Sequence, residues 1–503
     1  MGRWAGGSSR SLSVGIDPLC RYGAFSHTPS SGGATYPDDA FLKLENVQSC
    51  PSPNALKAAY GWAGATDLYR LYFDGGIYRE EAMEPWLSGM LGGTGARDAY
   101  LSAPGKIVDN PERTAFWDAV DLSTRAAFVR VPMMHVVGWF DLFKQQGIEA
   151  FQVLNVLGAT ASASHAGAFG NQRILIGPWS HTNWFHSDQG DVQFPTNAGP
   201  GPAGGPLHPA HMDTLAYKSE IRFFDHWLRL EPRGLTDGYE TELPVRYYVM
   251  GNTDAGGLGN FWRETTTWPP PDFVIDQRRW VMLGRGDSLL ELRSDPLSTP
   301  KRAGVDGERS YTYDPTDPVP TVGGAILYAT AGSPAGPRDQ SAVEARPDVL
   351  AFTSPRLTEP MEVAGTVEVH LAVSSDATDT DFVVKLTDVY PDGRSILIAE
   401  GAIQARYRNG FAQSQILSGS PQDVVPVELS LGDVSMVLDV GHRFRVSVTS
   451  SNYPRLKPNP NTGASFFTDD VTALNSQVAR TTLWCRPWEA GRSSWVTLPV
   501  IRR

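Results

Sequence analysis

One short run constrains this chain more than any other. Residues 129–138 carry Val129, Val131, Met133, Met134, Val136 and Val137, and Gly138-Trp139 closes the run as a turn. A strand apolar on both sides must be covered on both faces, which places it inside a parallel sheet with helices above and below. The flanking sequence fits that requirement. Phe143, Ile148, Phe151 and Leu154 recur at helical spacing over 142–157, and 173–176 is a second short apolar strand. A helix follows over about 212–230, with Tyr217, Ile221, Phe224 and Leu228 as its apolar stripe. Residues 55–62 give a third strand, and 67–128, broken by Pro and Gly, read as a small helical cap. Alternating strands and helices predict an α/β unit over 55–261.

From 262 to 503 the period changes. Val367, Val369, Leu371 and Val373 alternate with Thr366, Glu368, His370 and Ala372, and Phe444, Val446 and Val448 alternate with Arg443, Arg445 and Ser447. Tyr390-Pro391-Asp392-Gly393 is a turn in which Pro presets φ and Gly supplies a positive one. Such segments predict an all-β sandwich. The 50 glycines and 38 prolines of the 503 residues agree with a turn-rich fold. Residues 1–54 are rich in Gly, Ser and Pro and read as irregular.

Charge and cysteine content exclude several functions. The net charge of −12 argues against nucleic-acid and anionic-membrane partners. No apolar run is long enough to cross a bilayer, and the first 30 residues lack a signal-peptide core, so a cytoplasmic location is expected. Cys20, Cys50 and Cys485 form neither a disulfide framework nor a zinc knuckle.

Two strand ends carry chemistry. Gly138-Trp139-Phe140-Asp141 ends the first strand named above, and Gly177-Pro178-Trp179-Ser180-His181 follows the next. Open parallel sheets bind ligands outside the carboxyl ends of their strands. An Asp and then a His at those ends suit the last two members of a Ser…Asp…His triad. The plainer alternative makes Asp141 the cap of the following helix and His181 an ordinary loop histidine. A metal site using His181, His186, His208 and His211 near Asp188 is a further alternative, although their spacing matches no compact zinc signature. Neither a metal nor a cofactor is expected.

These motifs resemble the cocaine esterase / X-Pro dipeptidyl-peptidase family of serine hydrolases, and the resemblance runs from about residue 55 to the C-terminus. Besides the two strand-end motifs it rests on Gly64-Ala65-Thr66-Asp67-Leu68-Tyr69-Arg70, Phe223-Phe224-Asp225-His226-Trp227-Leu228, Val249-Met250-Gly251-Asn252, Arg346-Pro347-Asp348, Asp379-Thr380-Asp381-Phe382 and Asn459-Pro460-Asn461-Thr462-Gly463. It implies part of an α/β-hydrolase core with a helical cap, then a jelly roll that walls the active site. It also implies Asp141 as triad acid, His181 as triad base, and a small-molecule ester or peptide substrate. Leu142, Phe143 and Lys144 stand where amino-ester hydrolases of this family carry substrate-gripping carboxylates, which disfavours that subclass.

The sequence departs from the family at the nucleophile. No Gly-x-Ser-x-Gly occurs; the nearest string is Gly33-Ala34-Thr35-Tyr36-Pro37-Asp38, which makes Thr35 the nucleophile candidate. Should Thr35 not serve, Ser8, Ser9, Ser30 and Ser31 are the fallback hydroxyls. The family's first strands have no counterpart. The expectation is an N-terminally truncated chain of low activity, with a three-strand parallel sheet that leaves the edge of strand 55–62 bare. The non-enzymatic alternative is a jelly-roll binding protein built on a hydrolase remnant.

Overall fold

The structure is a computed structural model that describes residues 12–16, 56–62, 64–103, 105, 107–160, 167–199, 215–228, 238–271, 273–285, 289–294, 307–328, 334–464 and 470–502. The chain opens with β1 (Leu12–Ile16) and β2 (Leu56–Trp62). The cap follows: α1 (Leu68–Tyr72), a hairpin of β3 (Phe73–Asp74) and β4 (Ile77–Tyr78), then α2 (Glu80–Leu91), α3 (Thr94–Leu101) and α4 (Ala115–Asp118). Next come β5 (Met133–Phe140), α5 (Lys144–Leu157), β6 (Arg173–Ser180), the short hairpin of β7 (Asp188–Gln189) and β8 (Val192–Gln193), α6 (Leu215–Leu228), β9 (Val245–Val249) and β10 (Phe261–Thr265).

The α/β sheet has six strands in the order β1-β2-β5-β6-β9-β10. The four central strands, β2, β5, β6 and β9, run parallel, and an antiparallel strand covers each side. This corrects the three-strand expectation twice. β1 lies inside the segment read as irregular and pairs antiparallel with β2, so the edge of β2 is not bare. Val245–Val249, which the three-strand expectation leaves out and whose last residue opens the Val249-Met250-Gly251-Asn252 motif, is the fourth parallel strand, with Val245, Tyr247, Tyr248 and Val249 fully buried. The Gly138-Trp139 turn is also corrected, because β5 runs through it to Phe140. On α6 the buried face is Phe223 and Phe224, which pack on Tyr60 with ring centroids 6.0 and 6.1 Å away. Ile221, placed on the stripe from its spacing, is 44% exposed at the edge of that face.

The β part comprises β11 (Val274–Arg285), β12 (Leu289–Ser294), β13 (Glu308–Tyr313), β14 (Leu350–Thr353), β15 (Met361–Ser375), β16 (Asp381–Val389), β17 (Ser395–Gln404), β18 (Val425–Leu438), β19 (Arg443–Thr449), β20 (Ala479–Trp484) and β21 (Trp495–Arg502). Their hydrogen bonding is antiparallel apart from a single parallel contact between β12 and β14. Val367, Val369 and Leu371 are buried on one face of β15, and Phe444, Val446 and Val448 on one face of β19. A slip of one residue would turn each set outward, so burial fixes the register. Gly393 takes φ +100° in the predicted turn and donates its N–H to the Tyr390 carbonyl at 3.0 Å.

The two parts share one apolar core. Val137, Ile148, Phe151 and Tyr247 of the α/β part join Met361, Val363, Val434 and Met436 of the β part in one cluster. Backbone hydrogen bonds cross the same seam, from Met250 N–H to the Ser435 carbonyl and from Val437 N–H to the Met250 carbonyl. The cap docks on the β part through ion pairs as well as backbone hydrogen bonds and apolar contacts, among them Ile77 with Val383, Ala402 and Leu456. Arg455 pairs with Asp74 at 2.5 Å and with Glu400 at 3.3 Å, and Gln404 N–H donates to the Gly75 carbonyl.

Candidate active site

The register of two neighbouring strands builds the site. β5 and β6 pair in parallel with Phe140 opposite Ser180, so the next residues, Asp141 and His181, leave the sheet side by side at its carboxyl end. A bulge between Gly138 and Phe140 brings the strands unusually close. A Cβ on Gly138 would lie 2.2 Å from the Trp179 carbonyl oxygen, and one on Gly177 would lie 2.4 Å from the Trp179 ring. Only glycine fits at either position.

His181 Nδ1 lies 2.7 Å from Asp141 Oδ2. The other carboxylate oxygen, Oδ1, accepts the Phe143 N–H at 2.6 Å. Asp141 is not the cap of α5, a position that Phe143 takes, but its one oxygen holds the turn before that helix while the other holds the imidazole. With Nδ1 engaged as donor, the tautomer leaves His181 Nε2 as the free base. The Asp141 side chain is fully buried, whereas that of His181 keeps 17% of its surface open. Phe143 and Trp184 meet the His181 ring edge-on, with centroids 5.5 and 6.4 Å away.

Gln189 holds the His181 loop, and sequence reasoning missed it. It is fully buried; its Oε1 accepts from Ser180 N–H at 3.0 Å and Ser180 Oγ at 2.9 Å. Its Nε2 donates to the carbonyls of Asn183 at 2.6 Å and His186 at 3.0 Å. One amide thus spends its full bonding capacity on both flanks of His181. Phe185 in this loop takes φ +61°, an uncommon value for a bulky residue. Gln146 plays a matching part behind the acid. Its Oε1 accepts the N–H groups of Thr66 at 2.7 Å and Asp67 at 2.9 Å, which fixes the Gly64–Arg70 motif. No local pattern marks either glutamine; their partners lie in other elements.

Among the described residues, none of the remaining sequence candidates joins the pair. Thr35, Ser8, Ser9, Ser30 and Ser31 lie outside the described residues, as do His208 and His211. Among the described residues, no hydroxyl or thiol is hydrogen-bonded to His181, and no group of three or more His, Cys, Asp or Glu converges as a metal site. Lys144 points away from the pair. Its Nζ donates to the Asp433 carbonyl at 2.7 Å.

A parallel sheet carrying an Asp–His pair at its carboxyl end, joined to a jelly roll, defines an α/β-hydrolase-type chain. Its relatives narrow the class. Residues 93–183, which include both Asp141 and His181, match the X-Pro dipeptidyl-peptidase (S15 family), and residues 237–477 match the X-Pro dipeptidyl-peptidase C-terminal non-catalytic domain. Cocaine esterase of Rhodococcus sp. is 32% identical over 398 residues, 79% of this chain and 61% of that protein. The chain is a homologue of these hydrolases and spans about three fifths of that curated relative, 61% of its length. Two solved structures share the fold at 23% identity, each covering 89% of this chain and 73% of its own. They are an aminopeptidase from a marine sediment archaeon (Thaumarchaeota archaeon), TM-score 0.68, and an alpha-amino acid ester hydrolase, TM-score 0.66.

Proposed function

We propose that this chain hydrolyses a carboxylic ester or a peptide bond of a small substrate, with Asp141 as triad acid and His181 as general base. The observation that carries the reading is the 2.7 Å hydrogen bond between the two side chains at the ends of paired parallel strands. Asp141 keeps the proton on Nδ1 and stabilises the imidazolium. His181 Nε2 takes the proton of a hydroxyl nucleophile as that oxygen attacks the substrate carbonyl. It returns the proton to the departing alcohol or amine, and then activates water against the acyl-enzyme. Thr35 is the sequence candidate for that hydroxyl. The rings of Phe143 and Trp184 beside His181 suit an apolar group next to the scissile bond.

The absence of any Gly-x-Ser-x-Gly in the sequence favours a second reading, a homologue that binds without turnover. One experiment separates the two. The purified chain is assayed with p-nitrophenyl esters and an X-Pro-anilide, beside His181→Ala and Thr35→Ala. Turnover that His181→Ala removes supports the hydrolase. Turnover that survives His181→Ala overturns the role given to His181. No turnover and no labelling by a fluorophosphonate probe favours the binding protein. Loss in Thr35→Ala as well identifies the nucleophile.

A further inference from the structure

We infer that the β part aligns the Asp141–His181 pair through a clamp formed by Asp433 on the start of α5; the inference rests on the reading of that pair given above. Four hydrogen bonds make the clamp. Lys144 Nζ donates to the Asp433 carbonyl at 2.7 Å, and Gln145 Nε2 to Asp433 Oδ2 at 3.2 Å. Asp433 N–H donates to Gln145 Oε1 at 3.0 Å, and Thr366 Oγ1 donates to Asp433 Oδ1 at 2.6 Å. Asp433 and its α5 partners are 288 residues apart in sequence or more, so this is a tertiary contact and not a local turn.

The strand is shaped for the contact. The β15–β18 register shifts between Val367 and Glu368, and Gly432 at this bulge takes φ +76°. A Cβ there would stand 3.2 Å from Gln145 Oε1 and 3.3 Å from Lys144 Nζ. Bulges re-aim a chain at chosen points, and this one aims Asp433 at α5.

The clamp is also costly, which argues that it does more than stabilise. Lys144 is buried, and burial pushes its ammonium down to about 8 against the pull of the Asp433 carboxylate. A lysine in the first turn of a helix is further opposed by the helix dipole. A buried ammonium bonded to a carbonyl is a poor source of stability but a definite geometric constraint.

The path to the pair is short. Lys144 N–H donates to the Asp141 carbonyl at 3.1 Å, Phe143 N–H holds Asp141 Oδ1, and the Phe143 ring abuts His181. A shift of the α5 start therefore moves three contacts of the pair at once. Asp433, Lys144 and Gln145 are positioning residues, since none touches the reacting atoms.

The test reads the pair directly and needs no turnover. Histidine in the full chain is labelled with nitrogen-15, and the low-field Nδ1 proton of His181 is assigned by its loss in His181→Gln. A parent without this resonance, or one that keeps it in Asp141→Ala, breaks the pair and with it the proposed hydrolase. With the pair established, Lys144→Met and Gln145→Leu are expected to speed solvent exchange of that proton by roughly tenfold, the effect of losing one or two ordinary hydrogen bonds. A purely stabilising contact would move the denaturation midpoint and leave this proton unchanged. Unchanged exchange in folded Lys144→Met and Gln145→Leu overturns the clamp. Should either fail to fold, Thr366→Val, which frees only the Asp433 side chain, is read in its place with the same two outcomes.

Discussion

His135 makes the sheet sensitive to acid, by an amount the structure allows one to calculate. It lies on β5, six residues before Asp141, and is 6% exposed. Its Nε2 is 3.0 Å from Gln172 Oε1. The Gln172 amide nitrogen is taken by the carbonyls of Ala168 and Val131, at 3.0 and 3.4 Å, so its oxygen faces the ring and His135 is the donor. Burial pushes His135 down to about 4 from 6.5, and the bond to Gln172 offsets only part of this. The sign follows from linkage. The unfolded chain binds a proton at His135 near pH 6.5 and the folded chain does not until about pH 4, so stability falls as pH drops through that window. The full loss is about 3 kcal/mol, and by pH 5 it has reached about 2 kcal/mol. Other groups titrate over the same range, so the measurement is a difference. Urea denaturation of the parent and of His135→Gln is followed at pH 7.5 and pH 5. The variant is expected to be less stable at pH 7.5, with the gap closing by about 2 kcal/mol at pH 5. A gap that stays constant across the two pH values refutes the buried neutral imidazole.

Two substitutions test the frame of the site. Gly138→Ala puts a methyl 2.2 Å from the Trp179 carbonyl oxygen; the expected cost is about 1–3 kcal/mol from forced strand separation, read as a lower thermal midpoint and a weakened His181 Nδ1 proton resonance. Gln189→Leu strips partners from Ser180, Asn183 and His186; a loss of about 2–4 kcal/mol is expected, with faster amide exchange over 180–189 and little change over the β part.

The parts of this molecule that could be read from the sequence are those set by local period and by short motifs. Val367, Val369 and Leu371 show their burial by alternation, and the strand-end positions of Asp141 and His181 show in the apolar runs before them. β1 has a faint trace in the sequence. Leu12, Val14 and Ile16 alternate with Ser13 and Gly15, a period-2 signal inside a Gly/Ser-rich stretch. β9 shows only in its composition, since its five residues of Val, Arg and Tyr are strand-like, whereas the resemblance motif begins at its last residue, Val249. Gln189, Gln146 and the Asp433 clamp had no such trace. An amide satisfied by four groups of a neighbouring loop looks, in sequence, like any surface glutamine. The Arg455–Asp74 pair is equally silent, since its partners stand 381 residues apart.

The Asp141–His181 pair serves the fold whatever its chemistry, and this bears on what its presence means. A fully buried carboxylate needs a donor on each oxygen, and here one comes from the Phe143 N–H and the other from His181. Removing the imidazole would leave Oδ2 buried without its partner, at a cost of about 1–3 kcal/mol or more for a charged group. The fold would thus keep the pair even in a chain that had ceased to turn over. Activity has to be argued from the far side of the ring. His181 Nε2 is the atom that only a hydrolase requires, and a hydroxyl presented to it is the one feature that structural upkeep does not explain. A fluorophosphonate probe reports on that feature directly, because it labels an oxygen activated by Nε2 and ignores a histidine retained for packing.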